Sequence, residues 1–529
     1  MTAPTPDATP TSWLRDAVVY EIYPQSFADS NGDGIGDLPG VLAHLDHLAW
    51  LGVDTIWFNP CFDSPFRDAG YDVRDYLEVA PRYGTNDDLV AVVAGARERG
   101  IRVLLDLVAG HTSDEHEWFR SSCAGAPVDA GEDRYVWSDT PGEGFVPSPG
   151  PRPGYYLKNF YDSQPALAFG YADPDPDRPW QQPVDAPGPL ANQAALREIM
   201  AFWLDRGVAG FRVDMAFSLV KGDPGHVATV ALWRGMRAWL DESYPEAVIL
   251  PEGVEPYGQG GPAFHGDMAL VIHPMHSSLF DNGAAGTKPW WEPAACYFDA
   301  DADGSLELFL REWDAHLAAH PGQAHPLLLA SADHDFSRLV LGSRTVEQTP
   351  PAWTFLLTWG TVPSVYYGDE IGMPYRTGLP EVEGSVCHPT YNRAGARTPM
   401  QWTPGPGAGF STAPPERFYL PVDPDPSRAD LQQAMADPSS VLHLVRELLA
   451  LRRRTPALRV GPVTRVLHRD YPLVFERGGS HVVVVNPARA AFELEVPEVL
   501  GATPLLARGV RVEGSTLHVD GFGCAVLGG

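Results

Sequence analysis

The sequence predicts an α/β fold: a (β/α)8 TIM barrel with an inserted subdomain after its third strand and a C-terminal antiparallel β-sandwich. Three observations carry this. Eight short apolar runs recur between residues 17 and 370, several are separated by amphipathic stretches, and residues 112–190 and 459–529 break the alternation. Strands alternating with helical patterns build parallel βαβ units. Eight such units close a barrel whose functional residues sit at the C-terminal strand ends.

The elements follow in order. "MTAPTPDATPTSW" has no basic or long apolar stretch, so residues 1–12 are expected to be a disordered tail rather than a signal peptide. The strand candidates are "AVVYEIY" (17–23), "TIWFNP" (55–60), "RVLLDLV" (102–108), "GFRVD" (210–214), "AVILPEG" (247–253), "MALVIHP" (268–274), "PLLLASADHD" (326–335) and "SVYYGDE" (364–370). "NDDLVAVVAGARERG" and "QAALREIMAFWLDRG" carry helical periodicity between them. The barrel thus occupies 13–111 and 191–458. Residues 112–190, rich in Pro, Gly, Asp and aromatics, are too long for a simple loop and form the inserted subdomain. "SSVLHLVRELLALRRRTPAL" (439–458) is a last helix with a serine N-cap. "HVVVVNP", "FELEVP" and "STLHVDG" then supply the strands of the 459–529 sandwich.

Composition narrows the function. A net charge of −30 disfavours nucleic acid and anionic membranes as partners and favours a neutral substrate. Cys61, Cys123, Cys296, Cys387 and Cys524 show no CxxC spacing, so neither a disulfide framework nor a zinc site is expected, and a reducing, cytoplasmic setting fits. No run has the length of a transmembrane helix. Nothing in the pattern calls for an organic cofactor.

The chemistry begins at "GFRVD". Strand alternation puts Arg212 and Asp214 on one face, and Phe211 and Val213 on the other. Asp214 ends the fourth strand, Glu252 in "LPEG" the fifth, and Asp335 in "ADHD" the seventh. Glycoside hydrolysis needs two carboxylates flanking the scissile bond, one as nucleophile and one as proton donor. Arg212 would keep Asp214 ionised through a charge-assisted hydrogen bond. Near the N-terminus, "DSNGDGIGD" sets Asp29, Asn31, Asp33, Asp37 and the carbonyl of Ile35 as alternating oxygen donors for a hard cation, Ca²⁺ or Mg²⁺.

These residues resemble glycoside hydrolase family 13, the α-amylase family, in its branch of oligo-1,6-glucosidases, α-glucosidases and trehalose synthases. The resemblance runs from about residue 13 to the end. It implies that Asp214 is the nucleophile, Glu252 the acid/base and Asp335 the transition-state stabiliser. It adds His334 from "HDFSR", Asp106 and His111 from "DLVAGH", Asp68 and Tyr71 from "DAGYD", and Arg397 from "RTPMQW". Asp68, Tyr71, His111, Arg212, His334 and Arg397 would contact or frame the sugar, with Arg397 pairing with Asp68 at the same subsite. The implied reaction is retaining release of glucose from short α-linked oligosaccharides. Glucosyl transfer or isomerisation, as by a trehalose synthase, is the alternative, and a non-catalytic carbohydrate-binding role the lesser one.

Three positions depart from the family pattern. Gly110 stands where an asparagine is usual before the histidine. Ala166 and Ala168 in "QPALAFG" replace two polar residues, leaving the leaving-group side less polar or reshaped. Met215 follows the nucleophile where valine or alanine is common. The tryptophans of "KPWWEP" (288–293) are candidates for an acceptor site or lid.

Overall fold

A computed structural model of the chain describes residues 10–125, 133–256, 262–281, 295–321, 325–388, 391–460 and 464–529. Residues 1–9 of the expected tail and the "KPWWEP" segment lie outside the described residues. Pro10–Arg15 forms a 3₁₀ turn.

Eight strands pair in one sheet: β1 (Val19–Ile22), β2 (Thr55–Phe58), β3 (Arg102–Val108), β4 (Gly210–Asp214), β5 (Val248–Pro251), β6 (Asp267–Ala269), β7 (Leu327–Ala330) and β8 (Val362–Tyr366). Their order is β5-β4-β3-β2-β1-β8-β7-β6, so β1 to β5 and β6 to β8 each run beside their sequence neighbours and β1 lies beside β8, the connectivity of a (β/α)8 barrel. β1 and β8, β3 and β4, β4 and β5, and β7 and β8 pair in parallel, as in Leu104 opposite Gly210 and Leu250 opposite Arg212. Every residue of β1, β2, β4, β5, β7 and β8 is buried, as strands covered on both faces must be. Gly210 is required where β4 starts. A Cβ there would lie 2.1 Å from the Val248 carbonyl oxygen, and its φ is +148°.

By its internal contacts the chain divides into two compact units, 1–11 with 57–98 and 102–267, and 12–56 with 99–101 and 268–529. In the first, helix Pro187–Leu204 starts on a proline, whose missing N–H is harmless there, and buries Leu196, Ile199, Met200 and Trp203. The inserted region holds a three-stranded antiparallel sheet of Trp137–Ser138, Phe145–Pro147 and Tyr155–Leu157. Phe119 packs edge-on against Tyr135 and Tyr156, and a buried Arg152–Asp133 pair at 2.7 Å ties the region together.

In the second unit, helix Val441–Arg454 is capped by Ser440, buries Leu444, Val445, Leu448 and Leu451, and ends in three arginines that suit its carbonyl end. The C-terminal strands form an antiparallel six-stranded sheet. Its longest hairpin, Thr503–Glu513 with Thr516–Gly528, pairs with His481–Val485 through residues 524–528 and with Phe492–Glu495 through 516–519. The register shifts between Arg508 and Val510, where Gly509 has φ +61° and, on the partner strand, Phe522 has φ +60°. This irregularity lets one hairpin serve both halves of the sheet. Val474, Val484, Val499, Leu517 and Leu527 from the two halves share one core. All five cysteines are free.

Candidate active site

In the first unit, Arg212 and Asp214 share a face of β4, and Glu252 follows the last residue of β5. Arg212 is buried and gathers three carboxylates. Its Nη1 donates to Asp106 Oδ1 at 2.8 Å and to Asp214 Oδ1 at 3.0 Å, and its Nη2 lies 3.2 Å from Glu252 Oε1. Asp106 stands on β3 directly opposite Arg212 in the ladder. It also accepts from the Tyr71 hydroxyl at 3.1 Å and from the Trp57 indole at 3.3 Å. Met215, in the left-handed region at φ +43°, donates its backbone N–H to Glu252 Oε2 at 2.8 Å. The residue after Asp214 therefore fixes where Glu252 stands.

One cation among three acids makes the site electrostatically asymmetric. Burial pushes Asp106 up to about 6, against the downward pull of Arg212 and with the neighbouring Glu252 adding to the rise. Burial works against the charge of Arg212, yet Asp106, Glu252, Tyr71 and Asp214 together hold its pKa well above the ordinary arginine value.

Asp68 and Tyr71 lie in the turn after β2, joined by Tyr71 N–H to Asp68 O at 2.8 Å. Asp68 Oδ2 accepts from Gln164 Nε2 at 2.8 Å. His111, just past β3, has Nε2 3.1 Å from the Tyr71 carbonyl and Nδ1 3.0 Å from Asn159 Nδ2. Burial lowers its pKa to about 4, so the ring is neutral at pH 7. Ala166 and Ala168 are buried, Ala166 bridging to His111 through its backbone and the Ala168 carbonyl accepting from Asn192 Nδ2.

In the second unit, Asp335 lies in the turn beyond β7, past the strand's last residue, Ala330. Its Oδ1 receives Arg397 Nη2 at 2.9 Å and Arg393 Nη1 at 3.2 Å. Arg397 also donates from Nε to the His334 carbonyl at 2.8 Å. His334 is buried, with Nδ1 2.7 Å from Glu21 Oε1 and Nε2 3.5 Å from Asp335 Oδ1. Gln164, Asn159, Glu21 and Arg393 are not among the residues read from the sequence. Glu21 had a signal, a lone carboxylate inside the apolar run of β1. The other three had none beyond polarity.

The oxygen loop also lies in the second unit. Asp29, Asn31 and Asp33 each accept from the N–H two residues on, at 3.1, 2.9 and 2.9 Å. Asp29 Oδ2 takes Gly34 N–H at 2.8 Å and Ser411 Oγ at 2.5 Å, and Asp37 Oδ2 takes Ser30 Oγ at 2.9 Å. A Cβ on Gly34 would meet the Arg417 carbonyl oxygen at 2.2 Å. The turns are thus pinned with hard oxygen donors at alternate positions, a donor set that suits Ca²⁺ or Mg²⁺.

Parallel β/α topology with acids and an arginine at the ends of β3, β4 and β5 defines a barrel enzyme built for glycoside chemistry. The "Alpha amylase, catalytic domain" family model matches residues 21–461, and the chain belongs to that family, glycoside hydrolase family 13. It is 33% identical to "Trehalose synthase/amylase TreS" of Mycolicibacterium smegmatis, over 93% of this chain and 82% of that protein. It is 31% identical to "Glucan 1,6-alpha-glucosidase" of Streptococcus pneumoniae, over 83% and 84% of the two chains. Among solved structures, the α-glucosyl transfer enzyme XgtA superposes with a TM-score of 0.76 at 26% identity, covering 98% of this chain and 99% of that one. The protein is accordingly an enzyme active on α-glucosides. Among the described residues, no helix is long and apolar enough to cross a membrane.

Proposed function

We propose that the protein is a retaining α-glucosidase that releases glucose from the non-reducing end of short neutral α-linked oligosaccharides or disaccharides. The observation that carries this is the buried Arg212 guanidinium holding both Asp214 and Glu252 at adjacent strand ends. Asp214, ionised beside Arg212, attacks the anomeric carbon as Glu252 protonates the leaving oxygen. A β-glucosyl ester forms on Asp214. Glu252 then removes a proton from water, which attacks and returns Asp214 to its free carboxylate. Glu252 exchanges its contact with Arg212 for the leaving oxygen as it gives up its proton. Asp335 and His334 bind ring hydroxyls. Their partners Arg393, Arg397 and Glu21 hold them still. Asp68, Tyr71 and His111 do the same from the β2 and β3 loops, Tyr71 offering its ring to the sugar's apolar face.

A transferase or isomerase uses the same residues, and the likeness to a trehalose synthase/amylase keeps that reading in play. Product analysis separates them. Maltose, isomaltose, sucrose, trehalose, nigerose and kojibiose are each incubated with the wild type and with Asp214→Ala. Free glucose from one or two of them, absent in the variant, is the expected result. New disaccharides with little glucose move the answer to transfer, and no product from any sugar overturns both.

We further propose that the 29–37 loop binds Ca²⁺ or Mg²⁺ as a structural ion, with Asp29, Asn31, Asp33, Asp37 and the Ile35 carbonyl as donors. An ion held at a hundred times its Kd stabilises by about 2.7 kcal/mol. Millimolar Ca²⁺ or Mg²⁺ added after chelation should therefore raise Tm by a few degrees, and exposed Asp33 mutated to Ala should abolish the gain. An unchanged Tm with both ions rejects the site. The five free cysteines favour a cytoplasmic setting.

A further inference from the structure

We propose that Lys221, acting through Asn159, holds the Asn159 amide N–H against Nδ1 of His111 and so fixes the orientation of that ring beside the sugar. The inference rests on the reading of His111 as a sugar contact.

Lys221 is one of only three lysines in the chain. It lies in the loop after β4, where its backbone N–H donates to Gly170 O and its carbonyl accepts from Ala172 N–H, both at 2.9 Å. Its Nζ reaches Ser218 O at 2.5 Å and Asn159 Oδ1 at 3.3 Å. An ammonium only donates, so the oxygen of the Asn159 amide must face it, and the amide nitrogen faces the other way. That nitrogen donates to His111 Nδ1 at 3.0 Å. Nδ1 of His111 is then an acceptor, and the single proton of the neutral ring sits on Nε2, 3.1 Å from the Tyr71 carbonyl.

Gly110 is part of the same arrangement. A Cβ there would lie 2.8 Å from both Asn159 Nδ2 and Ser218 Oγ. The asparagine usual at this position in the family is absent, and the space next to His111 is filled instead by an asparagine delivered from the inserted region. Lys221 and Asn159 are positioning residues. Neither is assigned to the reacting atoms.

The relay depends on charge. Burial lowers Lys221 to about 8. Around it stand neutral His111, with Asp68 beyond that ring. Asp223 is turned away to Ala228 and Thr229, and Tyr171 is pushed up to about 12 by burial. Below pH 8 the ammonium locks the amide. Above it the neutral amine can accept as well as donate, and the amide can reverse, which turns its oxygen toward the Nδ1 lone pair and displaces the ring. Activity should therefore fall as pH rises through about 8.

The test is kcat and KM between pH 5 and 10. The wild type should show the fall near pH 8. Lys221→Met should raise KM about tenfold at pH 7 with a smaller change in kcat, and should lack that fall. Lys221→Arg, which keeps the charge, should restore KM and move the fall to higher pH. A Lys221→Met enzyme with wild-type KM and the same fall overturns the proposal. Nitrogen-15 labelling of histidine gives a readout independent of turnover, the His111 signal being identified by its loss in His111→Gln. An Nε2–H ring in the wild type at pH 7 whose Nδ1 signal shifts in Asn159→Ala and Lys221→Met supports the relay, and an Nδ1–H ring in the wild type rejects it. An enzyme inactive on every sugar would remove the glucosidase reading, while the spectrum would still decide the relay.

Discussion

Replacing Asp214 with alanine should lower kcat by about 10⁴-fold or more while leaving thermal unfolding near that of the wild type. The two halves of this expectation have separate physical grounds. Without the carboxylate no glucosyl ester can form, and neither Asp106 nor Glu252 can substitute, because Arg212 holds each in its own place. The fold survives because Arg212 keeps two of its three partners, and removing one of three clustered acids relieves repulsion. Glu252→Gln should lose roughly 10²–10⁴-fold, the usual contribution of general acid–base catalysis. Azide tells the two roles apart on an activated α-glucoside. In Asp214→Ala it attacks the substrate directly and gives the β-glucosyl azide, by one inversion. In Glu252→Gln it attacks the ester on Asp214 and gives the α-azide, by two. Retention of a tenth of the rate in Asp214→Ala, or exchanged azide products, would sink the assignment.

The sequence carried the strands well because a strand buried on both faces is written as a short, uninterrupted apolar run, and eight such runs occur in order. Asp214 and Arg212 were legible for a related reason. Charge inside such a run has to be there for chemistry or for a partner, and period-2 alternation says which residues share a face. Glu21 gave the same signal in β1 and pairs with His334, so the rule applied more widely than to β4. What the residues alone did not convey is which of several acids shares a given cation. Arg212 was expected to serve Asp214. It also binds Asp106 on the neighbouring strand and reaches Glu252 on the other side, a relation set by ladder register, not by spacing. Asn159 was hidden for another reason. It comes from an irregular insertion without periodicity, and only the absence of a side chain at Gly110 marks the space it fills.

The second large effect concerns Arg212 itself, and it separates folding from catalysis. Arg212→Met should remove turnover and destabilise the protein by about 3–5 kcal/mol, the usual loss when one partner of a buried ion pair is deleted. The loss arises because Asp106 is fully buried and would be left with the Tyr71 hydroxyl and the Trp57 indole as its donors. With Arg212 present, burial already pushes Asp106 up to about 6, and Arg212 is the main influence lowering it. Without Arg212 the value rises further, so the folded variant binds a proton that the unfolded chain has released above about pH 4. The sign follows: the folded state holds more protons than the unfolded state, so stability falls as pH increases across that window. The variant should therefore be closest to wild type near pH 4 and weakest near pH 8. Arg212→Lys keeps a charge but cannot fork to three carboxylates, and should fall between the two in stability with turnover still severely reduced. Adding Asp106→Asn to Arg212→Met removes the stranded charge and should recover part of the lost stability and flatten its pH dependence, with no return of activity. Urea unfolding of the four proteins from pH 4 to 8 reads all of this. An Arg212→Met variant as stable as wild type at pH 8, with the same slope against pH, would show that the guanidinium does not hold this acid cluster together.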